Sequence, residues 1–83
     1  MSPSIDSIVR HEVAAVLGID PTELAGDEPF VRTYKVDSLE LTEMGVRLER
    51  SLGRRLPVQT LRDIVSVDDF VRVLTEHLRE GRS

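Results

Sequence analysis

The stretch Asp37-Ser38-Leu39-Glu40-Leu41-Thr42-Glu43-Met44-Gly45-Val46-Arg47-Leu48-Glu49-Arg50-Ser51-Leu52 changes the character of the chain at its first residues. Polar sequence punctuated by Pro21 and Pro29 precedes it. From Ser38 onward Leu41, Met44, Leu48 and Leu52 recur at intervals of three and four, the stripe of a helix with one buried face. Glu40, Glu43, Arg47 and Arg50 fall elsewhere on the helix, Leu39 and Val46 lie off the apolar stripe, and Gly53 supplies a stop. The spacing therefore predicts a helix over residues 38–52 with a serine at its head, where Ser38 can act as the N-cap.

Upstream, Ile5, Ile8, Val9, Val13, Val16 and Leu17 give a second helical stripe over residues 4–17, opened by Ser4 or Ser2-Pro3 and ended by Gly18. Asp20-Pro21-Thr22-Glu23 predicts a single turn, with Asp20 as cap, Pro21 at the first helical position and Glu23 reaching back. Leu24 and Phe30 read as apolar pins for a loop of about twenty residues, long for so small a domain. Downstream, Pro57 makes Arg54-Arg55-Leu56-Pro57 a connector. Residues 58–64 allow only a short turn around Leu61 and Ile64. Ser66-Val67-Asp68-Asp69 is a helix start with acids in its first turn, and Val67, Phe70, Val71, Leu74 and Leu78 carry one apolar face toward Gly81. No alternating strand pattern, repeat or low-complexity segment is present. The expected fold is all-α: a bundle of three main helices and one short helix with a long first loop, forming one domain over residues 1–83 with its core at about 4–80.

Composition narrows the function. With 83 residues, 40% hydrophobic and only Phe30, Tyr34 and Phe70 aromatic, the chain supports a small aliphatic core and no deep enclosed active site. The absence of cysteine excludes disulfides, thiolate catalysis and cysteine-ligated metals. A net charge of -4 argues against nucleic acid as a partner. The acidity is uneven: residues 1–31 balance at -5 and residues 32–83 at +1. Neither a signal peptide nor a membrane-spanning stretch is recognisable, so the expectation is a soluble cytoplasmic protein with no membrane partner, monomeric when free.

A serine acting as nucleophile in its own enzyme needs a base and an orienting group. The two histidines, His11 and His77, lie in the first and last helices, and nothing in the sequence brings either beside Ser38. No catalytic residue and no metal ligand set is therefore expected. If Ser38 reacts, another enzyme acts on it. A helix head favours anions, a phosphodiester included. The plain alternative is that Ser38 does no more than start its helix.

The pattern as a whole resembles the acyl carrier protein family from Ile5 to about Leu78. The matching residues are Leu17-Gly18-Ile19, Pro21, Glu23-Leu24, Asp27-Glu28-Pro29-Phe30, Asp37-Ser38-Leu39-Glu40-Leu41, Leu48-Glu49-Arg50-Ser51-Leu52, Leu56-Pro57 and Ile64-Val65-Ser66-Val67-Asp68-Asp69-Phe70. The resemblance implies a four-helix bundle and a non-catalytic carrier. It implies that Ser38 receives 4'-phosphopantetheine from coenzyme A through a phosphopantetheinyl transferase, and that the cofactor's thiol holds an acyl group as a thioester. It also implies that Asp37 contacts the transferase or its metal, and that Val46 meets partner enzymes; Leu39, off the apolar stripe, is read as a partner contact beside the alternative of a core residue. Glu40, Glu43 and Glu49 would face basic patches on partners, or only solvent.

Two departures stand out. Val36 occupies a position where the housekeeping fatty-acid carriers usually have Gly or Ala, and Arg47, Arg50 and Arg54-Arg55 make this region less acidic than theirs, with a balance of -2 over residues 36–52. Both features fit a discrete carrier of polyketide or related specialised biosynthesis. Its partners would be an acyltransferase, ligase or ketosynthase-type enzyme, with Arg47 and Arg50 as contacts. Two alternatives stay open: a free-standing peptidyl or aminoacyl carrier loaded by an adenylation enzyme, and an unmodified carrier-like docking module.

Overall fold

The computed structural model describes residues 4–56, 61 and 64–80. Among these residues every regular element is helical: α1 (Ile5–Leu17), a 3-10 turn (Pro21–Glu23), α2 (Phe30–Tyr34), α3 (Ser38–Leu52) and α4 (Val67–Glu80). The expected turn over 58–64, the Pro57 connector, the Ser2-Pro3 opening and the Gly81 stop lie wholly or mostly outside the described residues.

The helix boundaries follow local chemistry. The Ser4 hydroxyl accepts the Ser7 N–H at 3.1 Å and opens α1, while Gly18 and Gly53 close α1 and α3 at φ of 73° and 66°, where a Cβ would be strained. Asp20 and Glu23 form the expected reciprocal box around Pro21. Ser66 Oγ receives the Asp69 N–H at 3.4 Å, and Asp69 returns the bond by accepting the Val65 N–H at 2.8 Å.

α1 packs against both α3 and α4. Val9, Val13 and Ala14 of α1, Met44 and Leu48 of α3, and Val67, Phe70 and Leu74 of α4 are buried together. Phe30 joins them, its ring centroid 5.9 Å from that of Phe70 at a tilt of 57°. Each such side chain contributes about 1.5–3 kcal/mol by leaving water, so this aliphatic cluster with two aromatic rings carries most of the stabilisation. Leu41, Leu52 and Val71 are half-buried and flank it, and Leu78 is half-buried.

The first loop differs from expectation. Phe30–Tyr34 winds into a short helix with Pro29 as N-cap, no side-chain capping bond, and Lys35 in the left-handed region at φ 57°. Five residues are too few to show a helical period, and Lys35 stands where a glycine would have announced the stop. The chain between α1 and α2 is hung from its neighbours. Arg10 Nη1 donates to the Leu24 carbonyl at 3.0 Å, and the Tyr34 hydroxyl accepts the Ala25 N–H at 2.9 Å. The Asp68 N–H donates to the Gly26 carbonyl at 3.0 Å, and the Phe30 N–H to the Val65 carbonyl at 2.7 Å. At Gly26 a Cβ would sit 2.5 Å from Asp68 Oδ1, so a side chain there would require the Asp68 carboxylate to move. This hanging loop fixes α2 beside the head of α3.

Candidate functional site

The head of α3 is capped by Asp37, not by Ser38. Asp37 Oδ1 accepts the Glu40 N–H at 2.7 Å, and Glu40 Oε1 accepts the Asp37 N–H at 3.1 Å, a complete capping box. Asp37 has extended backbone, φ -100° and ψ 178°, as a cap requires, and Ser38 is the first helical residue. The reading of Ser38 as N-cap is therefore corrected: both residues can cap, and the acid with a glutamate three positions on takes the role. Its consequence is chemical. Ser38 is exposed, and among the described residues its hydroxyl has no hydrogen-bond partner, so it is free to be modified.

Around the serine lie apolar groups from three elements. Leu39 of α3 is 76% exposed, Val31 of α2 72%, and Val65, just before α4, 53%. Beside them a cleft of about 250 Å³ is lined by Phe30, Val31, Val36, Asp37, Ser38, Leu41, Ile64 and Val65. Phe30, Val36 and Ile64 are buried and form its floor; Val31 and Val65 stand at its rim. Among the described residues only Asp37 and Ser38 bring polar side chains to it. The sequence pattern had singled out Leu39 and Val36 but not Val31 or Val65, whose place beside Ser38 depends on the loop and on α2.

Along α3 the remaining named residues separate into two sets. Glu43 and Arg50 are exposed, and Val46 is 42% exposed, so with Leu39 they follow one outward face. Glu40 is tied into the capping box, and Glu49 accepts the Leu56 N–H at 2.6 Å, holding the chain that leaves the helix. Arg47 reaches back to α1, its Nε 2.9 Å from Glu12 Oε1, and the Ser51 hydroxyl donates to the same carboxylate. Burial pushes the Glu12 carboxyl up, but the hydrogen bonds from Ser51 and Arg47 and the charges of Arg47 and His11 outweigh it. Glu12 therefore lies below its usual value of 4.5. A broader cleft of about 410 Å³ next to this pair, lined by Ser7, Ile8, His11, Glu12 and Ser51, shares no residue with the surroundings of Ser38.

No group of three or more His, Asp or Glu residues that could hold a metal occurs among the described residues, and none of the described helices is long and apolar enough to cross a membrane. Neither histidine is near the serine by its contacts; His77 Nε2 lies 3.1 Å from the Arg55 carbonyl oxygen.

The geometry is that of an exposed serine opening a helix of an all-α bundle beside an apolar cleft. Residues 7–74 match the family described as "Phosphopantetheine attachment site", and the chain belongs to that family, that of the acyl carrier proteins. It is 38% identical over 74 residues to a protein of Streptomyces avermitilis named polyketide-8 synthase acyl carrier protein 2, covering 89% of this chain and 85% of the relative. It is 33% identical over 69 residues to an acyl carrier protein of Rhodococcus erythropolis, covering 83% and 76%. An acyl carrier protein of Clostridium acetobutylicum is 31% identical over 72 residues, covering 87% and 94%. The protein is a non-catalytic carrier with covalently attached 4'-phosphopantetheine. It is modified by a phosphopantetheinyl transferase and works with biosynthetic enzymes. The residues at the head of α3 fit that group: a free hydroxyl, the positive end of a fifteen-residue helix for the phosphodiester, and an apolar cleft alongside.

Proposed function

We propose that Ser38 is the attachment residue and that the protein holds an acyl intermediate for enzymes of polyketide or related specialised biosynthesis, in the cytoplasm. The observation that carries the site is the division of labour at the helix head: Asp37 caps, and the Ser38 hydroxyl has no hydrogen-bond partner among the described residues. In the transfer the Ser38 oxygen forms a bond to the phosphorus that bears pantetheine in coenzyme A. The pyrophosphate P–O bond breaks, adenosine 3',5'-bisphosphate leaves, and the serine proton passes to a base of the transferase. The thiol so acquired supplies the thioester chemistry that a chain without cysteine lacks.

Asp37 is exposed beside the serine and can meet the transferase while it caps. Leu39, Glu43, Val46 and Arg50 lie on the open face of α3, which supports their assignment to partner docking. Glu40 and Arg47 have partners inside the fold; we assign them chiefly to placing that face, with the exposed part of Arg47 available at its edge. Apolar Leu39 and Val46 alternating with Glu43 and Arg50 present a mixed surface, suited to an acyltransferase, ligase or ketosynthase-type partner with charges of both signs. The likeness to the polyketide synthase carrier supports the pathway reading.

Incubation with a broad-specificity phosphopantetheinyl transferase and coenzyme A, read by intact mass and peptide mapping, tests the site. Wild type gains one phosphopantetheine on the peptide containing Ser38, and Ser38→Ala gains none while folding normally. Modification of the alanine variant would overturn the assignment.

A further inference from the structure

We infer that the C-terminal half of α3 carries a basic docking patch, centred on Arg47 and Arg50, that takes a carboxylate from an acidic segment of a partner enzyme. The inference rests on the assignment of the open face of α3 to docking, and adds the chemistry of the partner at the end of that face far from Ser38.

The charge of α3 changes sign along its length. Residues 38–46 hold Glu40 and Glu43 and no basic residue, whereas residues 47–56 hold four arginines and one glutamate. That glutamate, Glu49, is engaged by the Leu56 N–H, and Arg50, Arg54 and Arg55 make no ion pair with a described residue. The neighbours of Arg50 three and four positions away are Val46, Arg47, Gly53 and Arg54, none of them acidic. Arg50 and Arg55 are exposed and Arg54 is half-buried. Arg50 lies about 18 Å along the helix axis from Ser38, at 1.5 Å per residue, so the patch stands apart from the attachment end.

Arg47 is held in place for such a partner. Its Nε donates to Glu12 Oε1 at 2.9 Å, and the Ser51 hydroxyl donates to Glu12 Oε2, so both carboxylate oxygens are occupied and the guanidinium is anchored at that nitrogen. The Arg47 side chain stays 39% exposed, and its two terminal nitrogens have no acceptor among the described residues. An open cleft of about 140 Å³ is lined by Glu12, Arg47, Arg50 and Ser51, which brings the two arginines to one mouth. Glu12 offsets one of their two charges there, and the other remains. A guanidinium already anchored loses less freedom on pairing than a loose one, and its planar donors match a carboxylate.

The surroundings favour a polypeptide carboxylate over a phosphate polymer or a lipid surface. Glu12 lines the cleft and Glu43 is exposed one turn before Arg47, so an extended polyanion laid along α3 would meet both. The chain as a whole carries a net charge of -4, which opposes it further. A discrete carboxylate avoids these acids, and Val46, 42% exposed and one turn before Arg50, offers an apolar neighbour to the side chains around it.

The test titrates the full-length protein, apo and holo, with the capped peptide Asp-Glu-Leu-Glu-Asp and with its lysine and glutamine counterparts. Arginine Nε–Hε and backbone amide signals are followed by NMR. The acidic peptide should shift Arg47, Arg50 and Ser51 saturably, with an affinity that falls as salt rises, and the two counterparts should leave those signals in place. Arg50→Gln should weaken binding about two- to fivefold, as expected of one exposed ion pair, and Arg50→Lys, which keeps the charge, should weaken it less. Arg54→Gln/Arg55→Gln, beyond the end of α3, should weaken it by a similar factor, so a fold defect in one variant leaves the other informative. Absence of the shifts, an equal response to the lysine peptide, or an affinity unmoved in the folded variants would overturn the inference. A response to phosphatidylglycerol vesicles or duplex DNA in place of the peptide would assign the patch to phosphate and overturn it equally. Leu39→Ser and Val46→Ser, measured in acyl transfer with an enzyme that accepts the wild type, address the docking face itself. Unchanged rates would remove that face, whereas slowed transfer with no peptide response would remove only the acidic occupant.

Discussion

Replacing Asp37 with Ala and with Asn separates the two roles that meet at the head of α3. In the alanine variant the Glu40 N–H loses its 2.7 Å acceptor, a change that costs about 1 kcal/mol for an exposed cap. Loss of the negative charge at the helix N-terminus adds about 0.3–1 kcal/mol. The sum, about 1–2 kcal/mol, corresponds to a fall in Tm of roughly 5–15 °C for a domain of this size, at about 4–8 °C per kcal/mol. Asparagine keeps an oxygen for the Glu40 N–H and removes only the charge, so its Tm should fall by about a quarter to a half as much. Ser38→Ala deletes a hydroxyl with no partner among the described residues and should stay within about 0.5 kcal/mol of wild type. Thermal unfolding followed by circular dichroism ranks the three, and phosphopantetheine transfer is measured on the same samples below their transitions. If Asp37 also meets the transferase, the Asp37→Asn variant is slow to be modified while nearly as stable as wild type. The reasoning fails if Ser38→Ala loses as much stability as Asp37→Ala, since the cap would then be the serine, or if Asp37→Asn and Asp37→Ala are equally destabilised.

Other outcomes follow from the same geometry. Glu12 is held below its usual 4.5, so its pairing stabilises the fold fully above that value and is lost as pH falls through the lower folded value. Glu12→Gln should flatten the acid limb of a stability–pH profile, and an unchanged limb would refute the pairing as its source. Arg47→Met leaves the Glu12 carboxylate, 14% exposed, without its guanidinium. The double-mutant coupling should be about 1 kcal/mol, because Arg47 is itself 39% exposed and partly screened. Lys35 sits at φ 57°, a strain of about 1–2 kcal/mol for an L side chain; glycine's greater freedom in the unfolded chain returns part of this, so Lys35→Gly should raise stability by about 0.5–1 kcal/mol in urea melts. Arg50→Gln on the open face of α3 should alter transfer rates with cognate partner enzymes while lowering Tm only by the loss of one favourable charge at the helix end, whereas Arg47→Gln should lower Tm further; identical behaviour of the two would dissolve the distinction between docking and scaffold arginines.

Where the sequence is periodic, it is legible. The stripes of residues 4–17 and 38–52 and the start at Ser66 correspond to α1, α3 and α4 within a residue, because one-sided burial and glycine stops leave marks that need no tertiary knowledge. The box at Asp20 and Glu23 is local for the same reason. What escaped was either too short or too distant. α2 has five residues and no capping side chain, and its ordering comes from Tyr34, Phe30 and bonds to residues as far as some thirty-five positions away. The pairing of Arg47 with Glu12 spans 35 positions, so a charge that reads as surface on the helix is half committed to the fold. At the candidate site, the motif marked where α3 begins but not which residue caps it, since Asp and Ser both suit that position and the choice depends on Glu40.

The loop between α1 and α2 has a bearing on how this carrier can be engineered. Leu24, Ala25, Gly26 and Phe30 are each hydrogen-bonded to a residue outside this stretch, and a side chain at Gly26 would displace the Asp68 carboxylate. Although it is the longest irregular stretch described between two helices, it is a poor place to graft a reporter or splice in a linker. An insertion there would unhook α2 and shift the wall beside Ser38. The exposed turn at Gly53 is the better opening for an insertion that keeps the glycine itself, since at its φ of 66° a side chain would be strained.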